Sequence, residues 1–131
     1  MGTVPLHDDL TAGAEAKAVF DDIRAKRNTD FVNNFWRALA TDPQLLKQTW
    51  ERVQAVMAPG ALDPLVKELV YIAVSTANNC SYCVHSHTAA ARAKGMTAGQ
   101  YAELLQVIAL ASHTNSLANA LQVEVDDRFK A

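Results

Sequence analysis

Cysteine is scarce in this chain of 131 residues: there are two, alongside four prolines, five glycines and an aromatic fraction of only 7%. Two cysteines cannot build the disulfide framework that staples small secreted domains. Long apolar runs are missing as well. The longest, Leu69 to Ala77, is closed by Glu68 and Asn78, far short of the ~20 residues a spanning helix needs. Neither sign of charge dominates, since 12 basic and 14 acidic residues give a net charge of −2, which offers nucleic acid or an anionic membrane little to hold. The opening MGTVPLHDDL has acids where a secretory leader has a basic and then an apolar segment, so the expected compartment is cytoplasmic. No glycine-rich phosphate loop occurs and the methionines are scattered; no nucleotide, flavin, haem or other cofactor is expected.

What is present is helical periodicity from end to end, within a length suited to one domain, residues 1–131. Ala16, Val19, Phe20 and Ile23 fall at i, i+3, i+4 and i+7, and Val32, Phe35, Trp36 and Leu39 repeat the pattern with Asp30 as the expected cap. Asp42-Pro43 and Asp63-Pro64 each read as an N-cap followed by the first helical residue. The first opens a stripe of Leu46, Trp50, Val53 and Met57 that Pro59 and Gly60 end. The second opens a helix apolar nearly all round, which belongs at the centre of the domain or in a subunit contact. A fifth helix is expected from Ser81 to Lys94 with Gly95 as its left-handed terminus, and Thr97 with Gln100 forms a capping box for a sixth. The fold class is all-α, a bundle of roughly six helices. So much apolar surface on so small a chain predicts a homo-oligomer.

The chemistry concentrates in NNCSYCVHSH, Asn78 to His87. In a reducing compartment a close pair of cysteines points to redox or metal chemistry. With a helix starting near Ser81, both sulfurs sit where free backbone N–H groups and the helix dipole favour an anion, a setting that lowers thiol pKa values. Cysteines three apart can also close a disulfide, so that one attacks and the other resolves. His87 lies four residues after Cys83 and shares its face, which makes Cys83 the expected attacker and His87 its general base. His85 points elsewhere and reads as a surface histidine, and His7 and His113 as surface or hydrogen-bonded ones. Glu68 is the anomaly of the apolar fourth helix, since a buried carboxylate is rare unless paired or functional. It faces solvent, pairs with Lys67 or Arg92, or serves the site. Its place roughly 15 Å before the end of its helix suggests that reaching His87 takes a tilted packing or a bridging water.

A glutamate twelve residues before Cys-x-x-Cys, with a histidine four residues after the second cysteine, resembles the alkyl hydroperoxidase D (AhpD) family of the carboxymuconolactone decarboxylase superfamily. The likeness runs through ELVYIAVSTANNCSYCVHSHTAAARAKG and, more loosely, through FWRALATDPQLLKQTWERVQAVM, which is similar to the peroxidase-related branch. The resemblance implies an all-α trimer or hexamer that reduces hydroperoxides in antioxidant defence. By the same analogy Cys83 is the peroxidatic thiol, Cys80 resolves its sulfenic acid into a disulfide, and His87 and Glu68 relay the proton. A thiol reductant, dihydrolipoyl in the family, would restore the pair. Where the best-studied members have a histidine before the second cysteine, this chain has Tyr82, which lacks a basic nitrogen.

Other readings compete. Thiol–disulfide exchange uses the same motif. Lactone decarboxylation, which names the superfamily, does not rely on a cysteine pair. A zinc site from Cys80, Cys83, His87 and either His85 or His113 would crowd most of its ligands into eight residues, whereas structural zinc draws its second ligand pair from a distant segment; no metal is expected. A chaperone-like stress oligomer that merely forms a disulfide would show no turnover.

Overall fold

A computed structural model describes residues 2–130. It contains six α-helices and, among the described residues, no strand. The chain gathers into two compact units, Met1–Ala58 and Pro59–Ala131, and the buried apolar residues form two clusters where the chain length suggested one core. The stretch between the third and fourth helices, residues 58–63, is exposed throughout and adds to neither.

The first unit holds α1 (Ala14–Arg27), α2 (Asn34–Leu39) and α3 (Pro43–Met57). Its core is built from the expected stripes, with Phe20 and Ile23 of α1 packed with Trp36 of α2 and Leu46 and Trp50 of α3. The two tryptophan rings meet edge to face, centroids 5.3 Å apart, and the Trp50 indole N–H donates to Asp22 at 2.8 Å. Asp42 caps α3 by accepting the Leu45 amide, with Pro43 in the first turn. Asp30 does not cap α2, contrary to expectation. Its carbonyl is held by the Arg24 guanidinium at 3.1 Å, the chain continues extended, and α2 begins three residues later behind Asn33.

The second unit holds α4 (Pro64–Ala77), α5 (Ser81–Ala93) and α6 (Ala98–Leu121), followed by a single 3-10 turn. Asp63 caps α4 through the Leu65 amide, and Thr97 and Gln100 form the expected capping box of α6. Gly95, at φ 94°, ends α5, and the Met96 amide returns to the Ala91 carbonyl at 3.0 Å, which seats Met96 and Ala91 in one cluster with Ile72.

The apolar fourth helix is not enclosed within this chain. It buries the face of Glu68, Ile72 and Ser75 and leaves Val66, Val70 and Val74 exposed. In α6, Tyr101, Leu104 and Ile108 lean on the Ile72 cluster, yet none of its 24 residues is buried and residues 109–130 are all exposed. No helix of the described residues is long and apolar enough to cross a membrane.

Because Asp63 fixes the start of the helix that carries Glu68, Asp63→Ala should lower unfolding stability by about 1 kcal/mol, the usual contribution of an N-cap. Urea denaturation followed by circular dichroism measures this, and Asp63→Ser should restore most of the loss. An unchanged midpoint in Asp63→Ala would remove the cap from the account.

Candidate active site

The turn between α4 and α5 is only three residues long: Asn78, Asn79 and Cys80. The Asn79 amide returns to the Thr76 carbonyl at 3.2 Å and the Cys80 amide to the Ser75 carbonyl at 2.9 Å, closing α4. Asn79 makes the reversal with φ 57°, a left-handed conformation that asparagine tolerates better than most residues. Cys80 is also the N-cap of α5. Its sulfur accepts the Cys83 amide at 3.4 Å and its carbonyl accepts the first helical bond, from Val84, at 3.0 Å. A sulfur here fills the place usually taken by a serine, threonine or aspartate oxygen.

Both cysteines are free thiols, partly buried, and they differ electrostatically. The Cys83 thiol and then the Cys83 amide hydrogen-bond the Cys80 sulfur and hold its pKa below the ordinary thiol range. Cys83 is pushed up to about 11 by burial, by its bond to Cys80 and by the charge placed there. In the hydrogen bond between the two sulfurs Cys83 is the donor and Cys80 the acceptor. The expectation placed the attacking thiolate on Cys83, whereas the Cys83 amide points at the Cys80 sulfur.

Glu68 reaches His87 directly. Its Oε2 lies 2.7 Å from His87 Nδ1 and its Oε1 lies 3.0 Å from Lys94 Nζ. Glu68 near the start of α4 thus meets residues in and just beyond the last turns of α5, as an antiparallel hairpin requires. The spacing that suggested a bridging water is met because His87, Ala91 and Lys94, at i, i+4 and i+7, lie on one face of α5. The partners seen for Glu68 are therefore His87 and Lys94. Burial pushes its carboxyl up, but hydrogen bonds from His87 and Lys94 and the Lys94 charge outweigh it and hold the group below the ordinary carboxylate range. An ionised carboxylate only accepts hydrogen bonds, so His87 donates to it from Nδ1. Tyr71 stacks on the imidazole, centroids 3.5 Å apart and planes 19° from parallel. Burial, then the neighbouring Cys83, Cys80 and Glu68 charges, raise the Tyr71 phenol, which remains a neutral clamp.

The structure thus brings Glu68 and His87 together in one contact and the two sulfurs in another, on the same hairpin. His85 and His113 are exposed, and the partly buried His7 has an enclosed Nδ1 without a hydrogen-bond partner. Tyr82, between the two cysteines, is 43% exposed. Among the described residues no three His, Cys, Asp or Glu side chains gather as a metal-ligating group. Two site residues escaped the sequence reading. Tyr71 stands one turn beyond Glu68, and Lys94 two turns beyond His87; reflecting α5 onto α4 about Asn79 lays His87 on Tyr71 and finds the first.

The family model described as "Carboxymuconolactone decarboxylase family" matches residues 43–124. The alkyl hydroperoxide reductase AhpD of Solibacter usitatus (strain Ellin6076) is 35% identical over 98 residues, 72% of this chain and 54% of that protein. Uncharacterized protein 4 in the cox locus of Paracoccus denitrificans is 38% identical over 56 residues, 43% of this chain and 50% of that one. The chain spans about half the length of these curated relatives. Among solved structures, the alkylhydroperoxidase AhpD core of Rhodospirillum rubrum ATCC 11170 is 62% identical, covers 100% of this chain over 98% of its own, and superposes with a TM-score of 0.96. With the helical architecture in common as well, the chain belongs to the carboxymuconolactone decarboxylase family, as an AhpD-like member.

Proposed function

We propose that the chain is a thiol peroxidase that reduces hydroperoxides through a sulfenic acid and disulfide cycle at Cys80 and Cys83, with Glu68 and His87 as the proton relay. The observation that carries this reading is the Cys80 sulfur, capped onto the α5 amide of Cys83 with the Cys83 thiol as its second donor. The relatives named as alkyl hydroperoxide reductase and alkylhydroperoxidase support the same class. Lactone decarboxylation leaves such a pair without a task.

In the proposed cycle the Cys80 thiolate attacks the outer oxygen of ROOH. The O–O bond breaks, the alkoxide takes a proton and leaves as ROH, and Cys80 becomes a sulfenic acid. Cys83 then gives its proton to the Nε2 side of His87 and attacks the Cys80 sulfur. The S–O bond breaks, the departing hydroxide takes that proton as water, and a disulfide remains. A dithiol of the dihydrolipoyl kind returns two electrons and two protons. The thiols and this reductant carry all the electrons, so the cycle needs no cofactor.

This order of the cysteines reverses the one implied by the family resemblance, in which Cys83 is peroxidatic and Cys80 resolves. What supports the reversal is magnitude. Each unit by which one thiol's pKa exceeds the other's lowers its share of the thiolate tenfold, whereas the gain in nucleophilicity recovers only about 0.4–0.5 log units. Attack through Cys80 is therefore the faster route from the resting state.

We also propose that the chain works as a homo-oligomer, a trimer or hexamer by analogy with the family. The sole charged residue of α6 is Glu103, and every residue of its second half is exposed. A helical arm of about 12–15 residues is marginal by itself in water. A second copy supplies both an uncovered α6 and an uncovered valine face on α4.

Two measurements test these readings. After hydroperoxide and a sulfenic-acid trap, Cys83→Ser should carry the adduct on Cys80, and Cys80→Ser should react at least about tenfold more slowly, the factor of one pKa unit. An adduct only on Cys83 would restore the order implied by the resemblance, and no adduct in either variant with no turnover of the unaltered protein would end the peroxidase reading. In sedimentation equilibrium the unaltered chain should be oligomeric, and Leu110→Glu with Leu117→Glu should shift it toward monomer. A monomeric unaltered chain would contradict the oligomer.

A further inference from the structure

Glu68 and His87 have tasks in the proposed cycle, whereas Lys94 has none. Lys94 is the C-cap residue of α5, its side chain 39% exposed, with Nζ turned onto a carboxylate whose side chain is 5% exposed. The oxygens of Glu68 are divided between two donors of one helix, Oε2 to the imidazole and Oε1 to the ammonium. A carboxylate so far removed from water keeps its charge only where donors and an opposite charge replace the water. Of the two donors, Lys94 brings the permanent charge.

The protonation state of Glu68 decides that of its neighbour. Facing a carboxylate, Nδ1 of His87 must donate, and in the neutral ring Nε2 is then the acceptor. Facing a neutral carboxyl, which can itself donate, Nδ1 becomes the acceptor and the proton moves to Nε2. Nε2 would then have no lone pair with which to accept a proton. Around Glu68 the other titratable or charged side chains are Lys67 beside it in sequence and Tyr71 one turn on, stacked on His87. From α6, Tyr101 packs beneath the Arg92 guanidinium at 5.5 Å. The cation placed on the carboxylate is that of Lys94.

We propose that Lys94 is a positioning residue of the reaction: by holding Glu68 as a carboxylate it keeps the His87 proton on Nδ1 and leaves Nε2 free to receive the proton that Cys83 gives up. The part of this that concerns turnover rests on the peroxidase reading, and the part that concerns the imidazole does not.

The test uses the full chain labelled with 15N-histidine, the His87 signals being assigned by their loss in His87→Gln. Lys94→Met removes the charge, Lys94→Gln keeps a donor without it, and Lys94→Arg restores both. At neutral pH the unaltered protein and Lys94→Arg should show the Nδ1–H tautomer. Lys94→Gln and Lys94→Met should show a growing share of Nε2–H, with hydroperoxide turnover lowered about tenfold or more, a part of the general-base contribution, and the acid limb of its pH profile moved upward. A folded Lys94→Gln with the tautomer and pH profile of the unaltered protein would overturn the proposal. A tautomer that shifts as expected in a protein that turns over no hydroperoxide would uphold Lys94 as the group that sets the imidazole and would sink the peroxidase reading alone.

Discussion

Cys80 performs two backbone tasks at once, and the arrangement of the site depends on it. Its amide closes α4 on the Ser75 carbonyl and its sulfur opens α5 on the Cys83 amide. A turn of three residues leaves no slack between the helices, so the register of α5 against α4 is set at this point. That register places Glu68 opposite His87 and Lys94. The sulfur that opens α5 is therefore also the one whose pKa the Cys83 amide helps to lower. Structure and reactivity share one hydrogen bond.

Around that turn the hairpin separates two jobs by depth. At the turn, the two sulfurs of the proposed cycle sit at partly buried positions. Two turns deeper, a nearly enclosed carboxylate fixes the imidazole and never needs to move. The depressed Glu68 carboxyl favours the folded chain above the ordinary carboxylate range, and this contribution is lost as pH falls through the folded value. The helices themselves are held by more ordinary means: aspartate caps on α3 and α4, a glycine terminus on α5, and the Ile72, Ala91 and Met96 contacts. Charge at the site is thus supported by a frame in which both Asp-Pro starts and the Thr97–Gln100 box are satisfied locally.

Local signals in the sequence translated well into structure. Asp42-Pro43, Asp63-Pro64, Gly95 and the Thr97–Gln100 box each rest on chemistry within four residues, so no distant contact could override them. Asp30 failed for the converse reason: Arg24, six residues away, holds its carbonyl in a loop. The apolar circumference of α4 was legible, but whether a valine faces a core or open solvent depends on neighbours that a sequence does not show. Glu68 and His87 were visible as anomalies, whereas Lys94 resembled any lysine near a helix end until the hairpin laid it on the carboxylate. The preference for a charge on Cys83 came from counting helical faces. A count of faces does not register that the N-cap sulfur of Cys80 curls back onto the amide three residues ahead.

Ultraviolet absorbance of the thiolate during a pH titration reads the central claim most directly. One thiolate should form below the ordinary thiol range in the unaltered protein and be lost in Cys80→Ser, whose remaining thiol should ionise only in alkaline solution. If both thiols of the unaltered protein ionise together at ordinary values, the capped sulfur is not an anion and the account fails.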